Sequence, residues 1–406
     1  VKILYKYTKN EVIKEIDRLH KKIHPESPLL VCDVEGASFH SYKSKDGGSF
    51  LFCVDYCRHL LFSIFDDKTK NQITEQNFKK EAEKWLKTIR QKSRGCTEDD
   101  YMVFLENIDK QIKSHTIYRK INGVFYNSTE SETISIYTFN PTYNADDKIF
   151  QEISDEEHRA MMEHILCTGP TISISVHAFD VDSARKISEK YFLHVENILN
   201  INNKPNIKGI ITILNNKDYE SNNNFILSED VAACSFSYGA KWYALDEKLK
   251  DPTIGDLLEI SSKSSSDLTD IKKRVLIAVD WAGNGMRMRD TTVGFVCCVT
   301  AMESLLTKKG NGTMSPSLTA QLRDGITYLL CDGVDDRLAM HKKVGKIYDQ
   351  RSKAIHGEAD GTMNADFVEA YVILNNLINK FITSSEIIGM KSFEDLEQHI
   401  LRRRYE

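Results

Sequence analysis

The sequence predicts an α+β multidomain protein, in which N-terminal mixed α/β modules lead into a C-terminal all-α helical bundle. A chain of 406 residues with 41% apolar composition is longer than one hydrophobic core organises, so several domains are expected. Ile172, Ile174 and Val176 alternate with Ser173, Ser175 and His177 at a strand period, whereas after about residue 266 the apolar residues recur every three or four positions. Between these regimes lies SSKSSSDLTD at 261–270, whose small polar residues cannot join a core and whose last serines can cap a helix. The expected divisions are a mixed α/β region over 1–145, a small α/β module with its linker over 146–262, a bundle over 263–385 and a basic helical tail over 386–406.

Taken in order, Val12, Ile16 and Leu19 mark an amphipathic helix over 9–22 that Pro25 closes. Apolar, β-rich runs follow at 28–34 and 50–64. Polar Lys-rich helical patterns occupy 76–93 and 98–113, and Thr116 to Phe139 reads as strands broken at Ile121-Asn122-Gly123. The strand from Thr171 leads to a helix that ends near Leu199, with Asp180 or Asp182 as its cap, and Gly209 to Leu214 reads as the next strand. In the bundle, Leu268, Ile271, Val275, Val279 and Ala282 trace one helix, and Phe295, Val299, Met302 and Leu306 a second. Shorter patterns cover 316–330 and 334–356, and Phe367, Ala370, Leu374, Leu377 and Phe381 trace the last. Cys297, Cys298 and Trp281 fall in helical apolar surroundings and read as core.

The net charge of −5 and a pI near 6.2 give no global basic footprint, so a nucleic-acid site would have to be local. No apolar run reaches the length of a membrane span, and VKILYKYTKNEVIKEID lacks a hydrophobic segment with a cleavage site, so a soluble cytoplasmic chain without a membrane partner is expected. Nine cysteines, an odd number without Cys-x-x-Cys spacing, fit reduced thiols. Cys53, Cys57 and His59 of CVDYCRH lack a fourth ligand and a knuckle spacing, so no metal and no cofactor are expected.

The chemistry concentrates in DQRSKAIHGE at 349–358. The stripe Val344, Ile347, Tyr348, Ala354 and Ile355 is interrupted by Arg351, a charge that must pair inside the bundle, with Glu303 or Asp349, reach water, or face a groove where an anion can sit. His356 precedes Gly357, the residue type preferred just past a helix end. An arginine fork can hold a phosphodiester and offset charge that develops on it, while a histidine can move the 2′-hydroxyl proton near neutral pH. From Val334 to Gly357, Arg337, Lys342, Lys343, Lys346, Arg351 and Lys353 outnumber Asp335, Asp336 and Asp349, a local net of +3 suited to RNA phosphates. The Arg-x4-His spacing also occurs at Arg159 and His164, so the helix and its surroundings select Arg351.

The run KIYDQRSKAIHGE, with DDRLAMHKKVG before it and VTAMESLL further upstream, resembles the Apea-like branch of the HEPN superfamily over about 266–385. The resemblance implies a helical bundle that pairs as a homodimer and brings two Arg-x4-6-His motifs into one cleft to cut RNA without metal. It implies Arg351 and His356 as catalytic, Ser352 as the polar neighbour of the arginine, Tyr348 as part of the motif and Glu303 as a supporting acid. It further implies a role in antiviral or abortive-infection defence, with tRNA a frequent substrate; the first 260 residues carry no part of the resemblance and are expected, from their company alone, to be sensors of a viral trigger protein or regulatory ligand, or substrate-positioning parts. Ser352 stands where some HEPN nucleases carry Asn, Asp or His, and some members of the superfamily bind RNA, a nucleotide or a protein partner without cutting.

Overall fold

The computed structural model describes residues 30–34, 37–43, 49–53, 72–91, 97–151, 156–201, 203, 211–213, 224–227, 232–235, 243–288, 290–308, 317–357 and 364–406. The architecture is mixed, with the described strands all before residue 245 and a helical C-terminal region after it. The expected helix at 9–22, together with Cys57 and His59, lies outside the described residues. Two compact units form: the described residues up to Ile117 with Ser175–Glu189, and Tyr118–Ile174 with Lys190–Glu406.

In the first unit, β1 (Leu30–Val34), β2 (Ala37–Lys43) and β3 (Ser49–Cys53) form an antiparallel meander, Val34 opposite Ala37 and Lys43 opposite Ser49. The helices α1 (Glu75–Gln91) and α2 (Glu98–Asp109) meet through aromatic rings, Trp85 stacked on Phe104 at 4.8 Å and Phe78 edge-on to it at 5.9 Å. Thr97 and Asp100 cap α2 reciprocally.

The chain continues through β4 (Lys113–Lys120), β5 (Val124–Phe125), β6 (Glu132–Ile134), β7 (Tyr137–Asn140), α3 (Lys148–Gln151), α4 (Glu156–Leu166), β8 (Thr171–Ala178) and α5 (Val181–Asn200). In the second unit β7 pairs antiparallel with both β6 and β8, Phe139 lying opposite Ile172. Gly123 sits at φ +82, a left-handed turn position that a side chain would strain, which breaks the strands where the sequence indicates. Ile172, Ile174 and Val176 are buried as their alternation requires, but Ser173 is buried too, because its hydroxyl accepts from Asn140 Nδ2 at 3.3 Å. Asp180, of the two expected caps, accepts from the Ser183 N–H at 2.8 Å. Of the strand expected at 209–214, residues 211–213 are described and form an isolated bridge, Asn122 to Thr212, between buried Ile211 and Ile213. The hairpin β9 (Asn224–Leu227) with β10 (Ala232–Ser235) follows, and β11 (Tyr243–Ala244) pairs parallel with β5.

The helical region runs α6 (Leu245–Leu249), α7 (Pro252–Ser261), α8 (Asp270–Arg287), α9 (Thr291–Leu306), α10 (Leu318–Leu330), α11 (Val334–Ile355), α12 (Asn364–Thr383), α13 (Ser385–Gly389) and α14 (Phe393–Tyr405). Thr269, Asp290, Ser317 and Ser392 cap α8, α9, α10 and α14 with their side chains. The serines expected to cap α8 form a 3-10 turn instead, Ser265–Asp267, because Thr269 stands one residue before the helix. Ser261 is no linker residue. It ends α7 and is buried, its hydroxyl bonded to Tyr137 at 2.9 Å, so a polar side chain joins the core by being paired there.

Every apolar position that traced the first, second and last bundle helices is buried. The α8–α9 contact is close because Gly285 and Gly294 face each other, and a β-carbon on Gly294 would lie 2.9 Å from the Gly285 carbonyl. The buried Ile326, Val344, Ile347, Leu374 and Phe381 come from α10, α11 and α12, and Phe393 and Leu396 bring α14 into the same unit. Trp281, expected in the core, is 40% exposed, since it falls on the flank of α8 with Ile277 and Met288 while Val275, Val279 and Ala282 face inward.

A polar seam joins α5 to α8. Glu196 Oε1 pairs with Arg287 Nη1 at 3.0 Å, the side chains only 2% and 5% exposed. Glu196 Oε2 accepts from the Ile213 N–H at 2.7 Å, and Arg287 donates to Asn197 and Asn284. Asp280 Oδ1 meets Asn197 Nδ2 at 2.8 Å and His194 Nδ1 at 2.9 Å. Gly283 admits the crossing, because a β-carbon there would lie 2.7 Å from Asn197 Cα.

Candidate functional site

The site is built on α11, which packs against α9 and α10 with buried Val344, Gly345 and Ile347. Arg351 continues this inward face, and its charge is met from α9: Nη2 donates to Glu303 Oε2 at 3.1 Å. Of the two acids considered from sequence, Glu303 is thus the partner. The pair is shielded, with side chains 26% and 15% exposed. Burial pushes the Glu303 carboxyl up, opposed by the Arg351 charge and by hydrogen bonds from Arg351 and Tyr348. The Arg351 guanidinium also lies over the Tyr348 ring, 5.8 Å from its centroid. Tyr348, Arg351 and Glu303 therefore form one cluster.

Within it, Arg351 is under-used. Its Nε is buried with no hydrogen-bond partner, so the fork keeps donating capacity that Glu303 does not take up.

His356 terminates α11, at φ −86 and ψ 3, with its backbone N–H donating to the Ser352 carbonyl at 3.2 Å. Gly357 follows at φ +77, the left-handed geometry expected after a helix end. Both Ser352 and His356 are exposed. Ile355 is 49% exposed, so the inward stripe loses its cover in the last turn and leaves the histidine in solvent.

The basic set is less available than its sequence suggests. Lys343 Nζ pairs with Glu369 at 3.0 Å and Lys346 Nζ with Asp366 at 3.2 Å, both carboxylates coming from α12. They cancel two of the three net positive charges counted along α11. Arg337 donates from Nε to the Cys331 carbonyl at 3.2 Å and lies over the Tyr328 ring. Lys342 and Lys353 are exposed and make no ion pair among the described residues. The competing Arg-x4-His occurrence is also ion-paired, but within its own helix: Arg159 Nε meets Glu163 Oε1 at 2.9 Å, four residues away.

Cys297 and Cys298 are buried, and burial pushes both thiols up, consistent with core residues. Among the described residues no group of three or more His, Cys, Asp or Glu is placed to hold a metal ion. No described helix is long and apolar enough to cross a membrane. Comparison with family models, with curated proteins and with solved structures finds no match to this chain.

Proposed function

We propose that the chain is a metal-independent endoribonuclease of HEPN type, with Arg351 and His356 as its working pair. The observation that carries this reading is the Arg351 cluster: a half-buried guanidinium oriented by Glu303 and Tyr348, with a buried unsatisfied N–H, five residues before a solvent-facing histidine.

On this reading Arg351 holds a phosphodiester and offsets the charge that grows on its oxygens. His356 takes the 2′-hydroxyl proton as the 2′-oxygen bonds to phosphorus and the bond to the 5′-oxygen breaks. In a homodimer the second copy of His356, protonated, supplies the departing 5′-oxygen, so the proton count closes. The products are a 2′,3′-cyclic phosphate and a 5′-hydroxyl. Ser352 and Lys353 flank the strand; tRNA is the substrate class that the resemblance suggests, and the N-terminal unit senses a viral trigger or regulatory ligand.

The chemistry needs the 2′-hydroxyl. An RNA oligonucleotide should be cut and its matched DNA left intact by the purified chain; equal cutting of both would end this reading. Assembly supplies a second check, because one chain offers a single arginine and a single histidine. Light scattering should give a dimer at micromolar concentration, and a fully active monomer would contradict the shared cleft.

A second reading is favoured by one observation. The pairing of Lys343 and Lys346 with α12 carboxylates reduces the basic surface and suits a module that binds RNA, a nucleotide or a protein partner without cutting. RNA retained intact through a long incubation would select it.

A further inference from the structure

Arg323 on α10 is a cation that the cluster above does not use. It is half-buried, makes no hydrogen bond or ion pair among the described residues, and its Nε is buried without an acceptor. Other half-buried or buried arginines of the bundle are held: Arg274 by Asp270, Arg287 by Glu196, Arg403 by Asp332. A guanidinium partly stripped of water and given no anion is an unfavourable arrangement unless a ligand completes it.

Its position is set by Gly345 of α11. The guanidinium lies across the bare glycine, and a β-carbon there would fall 2.8 Å from Arg323 Cζ. Gly345 thus makes a flat seat that any larger residue would fill. From this seat, Ser352 is seven and His356 eleven residues along the helix, each within about 20° of the same meridian at 100° per residue. The line from the Arg323 seat to His356 is about 16 Å long. Lys342, one turn before Gly345 on the same side, is exposed. Asp349, one turn after it, makes no ion pair with Arg323.

We propose that Arg323 and Lys342 form a phosphate-binding subsite for an RNA strand that runs along this line of α11 towards His356. Arg323, packed over buried Gly345 with its Nε enclosed, takes a phosphodiester outside the one being cut through its terminal guanidinium N–H groups, and Lys342 adds charge from the rim. The inference rests on the RNA reading above but does not require cutting.

The test uses the full chain carrying His356→Ala, in chelator, with a short fluorescent single-stranded RNA followed by anisotropy across a salt series. Arg323→Gln should weaken binding about tenfold, the scale of a charge-assisted contact. It should also lower the slope of log affinity against log salt by about 0.7, the share of one phosphate contact on a single strand. Gly345→Ala keeps the arginine but lifts it from its seat and should weaken binding similarly, which separates the subsite from any folding defect of the first variant. Arg323→Lys should restore the slope but not the full affinity. Parental affinity and slope in both Arg323→Gln and Gly345→Ala would overturn the proposal. RNA cut by the unmodified chain with an affinity indifferent to Arg323 would remove the subsite and keep the nuclease. RNA bound through Arg323 and never cut would do the reverse, and no RNA binding at all would remove both.

Discussion

Arg351→Ala and His356→Ala are each expected to lower RNA cleavage by about a hundredfold or more, the scale for loss of an oxyanion partner or a proton-transfer group. The two should fail for different reasons. His356 is exposed at a helix end and supports no packing, so its alanine variant should melt like the parent. Arg351 is half-buried against Glu303, and removing it deletes the influence that holds the Glu303 carboxyl down, so that carboxyl should rise further. Arg351→Lys separates charge from geometry. It restores a cation beside Glu303 but not the planar two-point hold on phosphate, and cleavage should stay low while stability returns. Cleavage near parental levels in Arg351→Lys would show that the residue contributes charge alone.

Glu196→Ala and Arg287→Ala should each cost about 3–5 kcal/mol of unfolding free energy, the penalty for leaving one member of a buried ion pair without its partner. Here the pair is almost fully enclosed, and Glu196 also receives the Ile213 N–H while Arg287 serves Asn197 and Asn284, so one truncation orphans several groups at once. The double variant should lose less than the sum of the two. Urea unfolding followed by tryptophan fluorescence measures this, and a loss below about 1 kcal/mol in either single variant would mean that water repairs the seam.

The bundle was legible because its apolar residues repeat at the period of a helix. Phe295, Val299, Met302 and Leu306, or Phe367, Ala370, Leu374 and Leu377, select one face by arithmetic alone, and that face is buried. Arg351 stood out for the same reason, as a charge where the period asks for an apolar side chain, and Glu303 was one of two acids named for it. The period finds faces and is silent about which helix covers them. Trp281 therefore read as core although its flank of α8 is open, and Lys343 and Lys346 read as free although α12 brings Glu369 and Asp366 to them. Arg323 gave no sequence signal, since what distinguishes it is the absence of a partner and the bare backbone of Gly345 beneath it. The Glu196–Arg287 pair spans a separation that no local pattern encodes.

The proposed chemistry is cleavage of RNA by Arg351 and His356 through the 2′-hydroxyl without a metal. Its most direct test is to incubate the purified chain with RNA in EDTA and identify the ends of the products. The expected products carry a 2′,3′-cyclic phosphate, or the 3′-phosphate it opens to, opposite a 5′-hydroxyl, with both ends absent when either residue is alanine. Products with 3′-hydroxyl ends, or cutting that stops in EDTA and returns with a divalent ion, would contradict it.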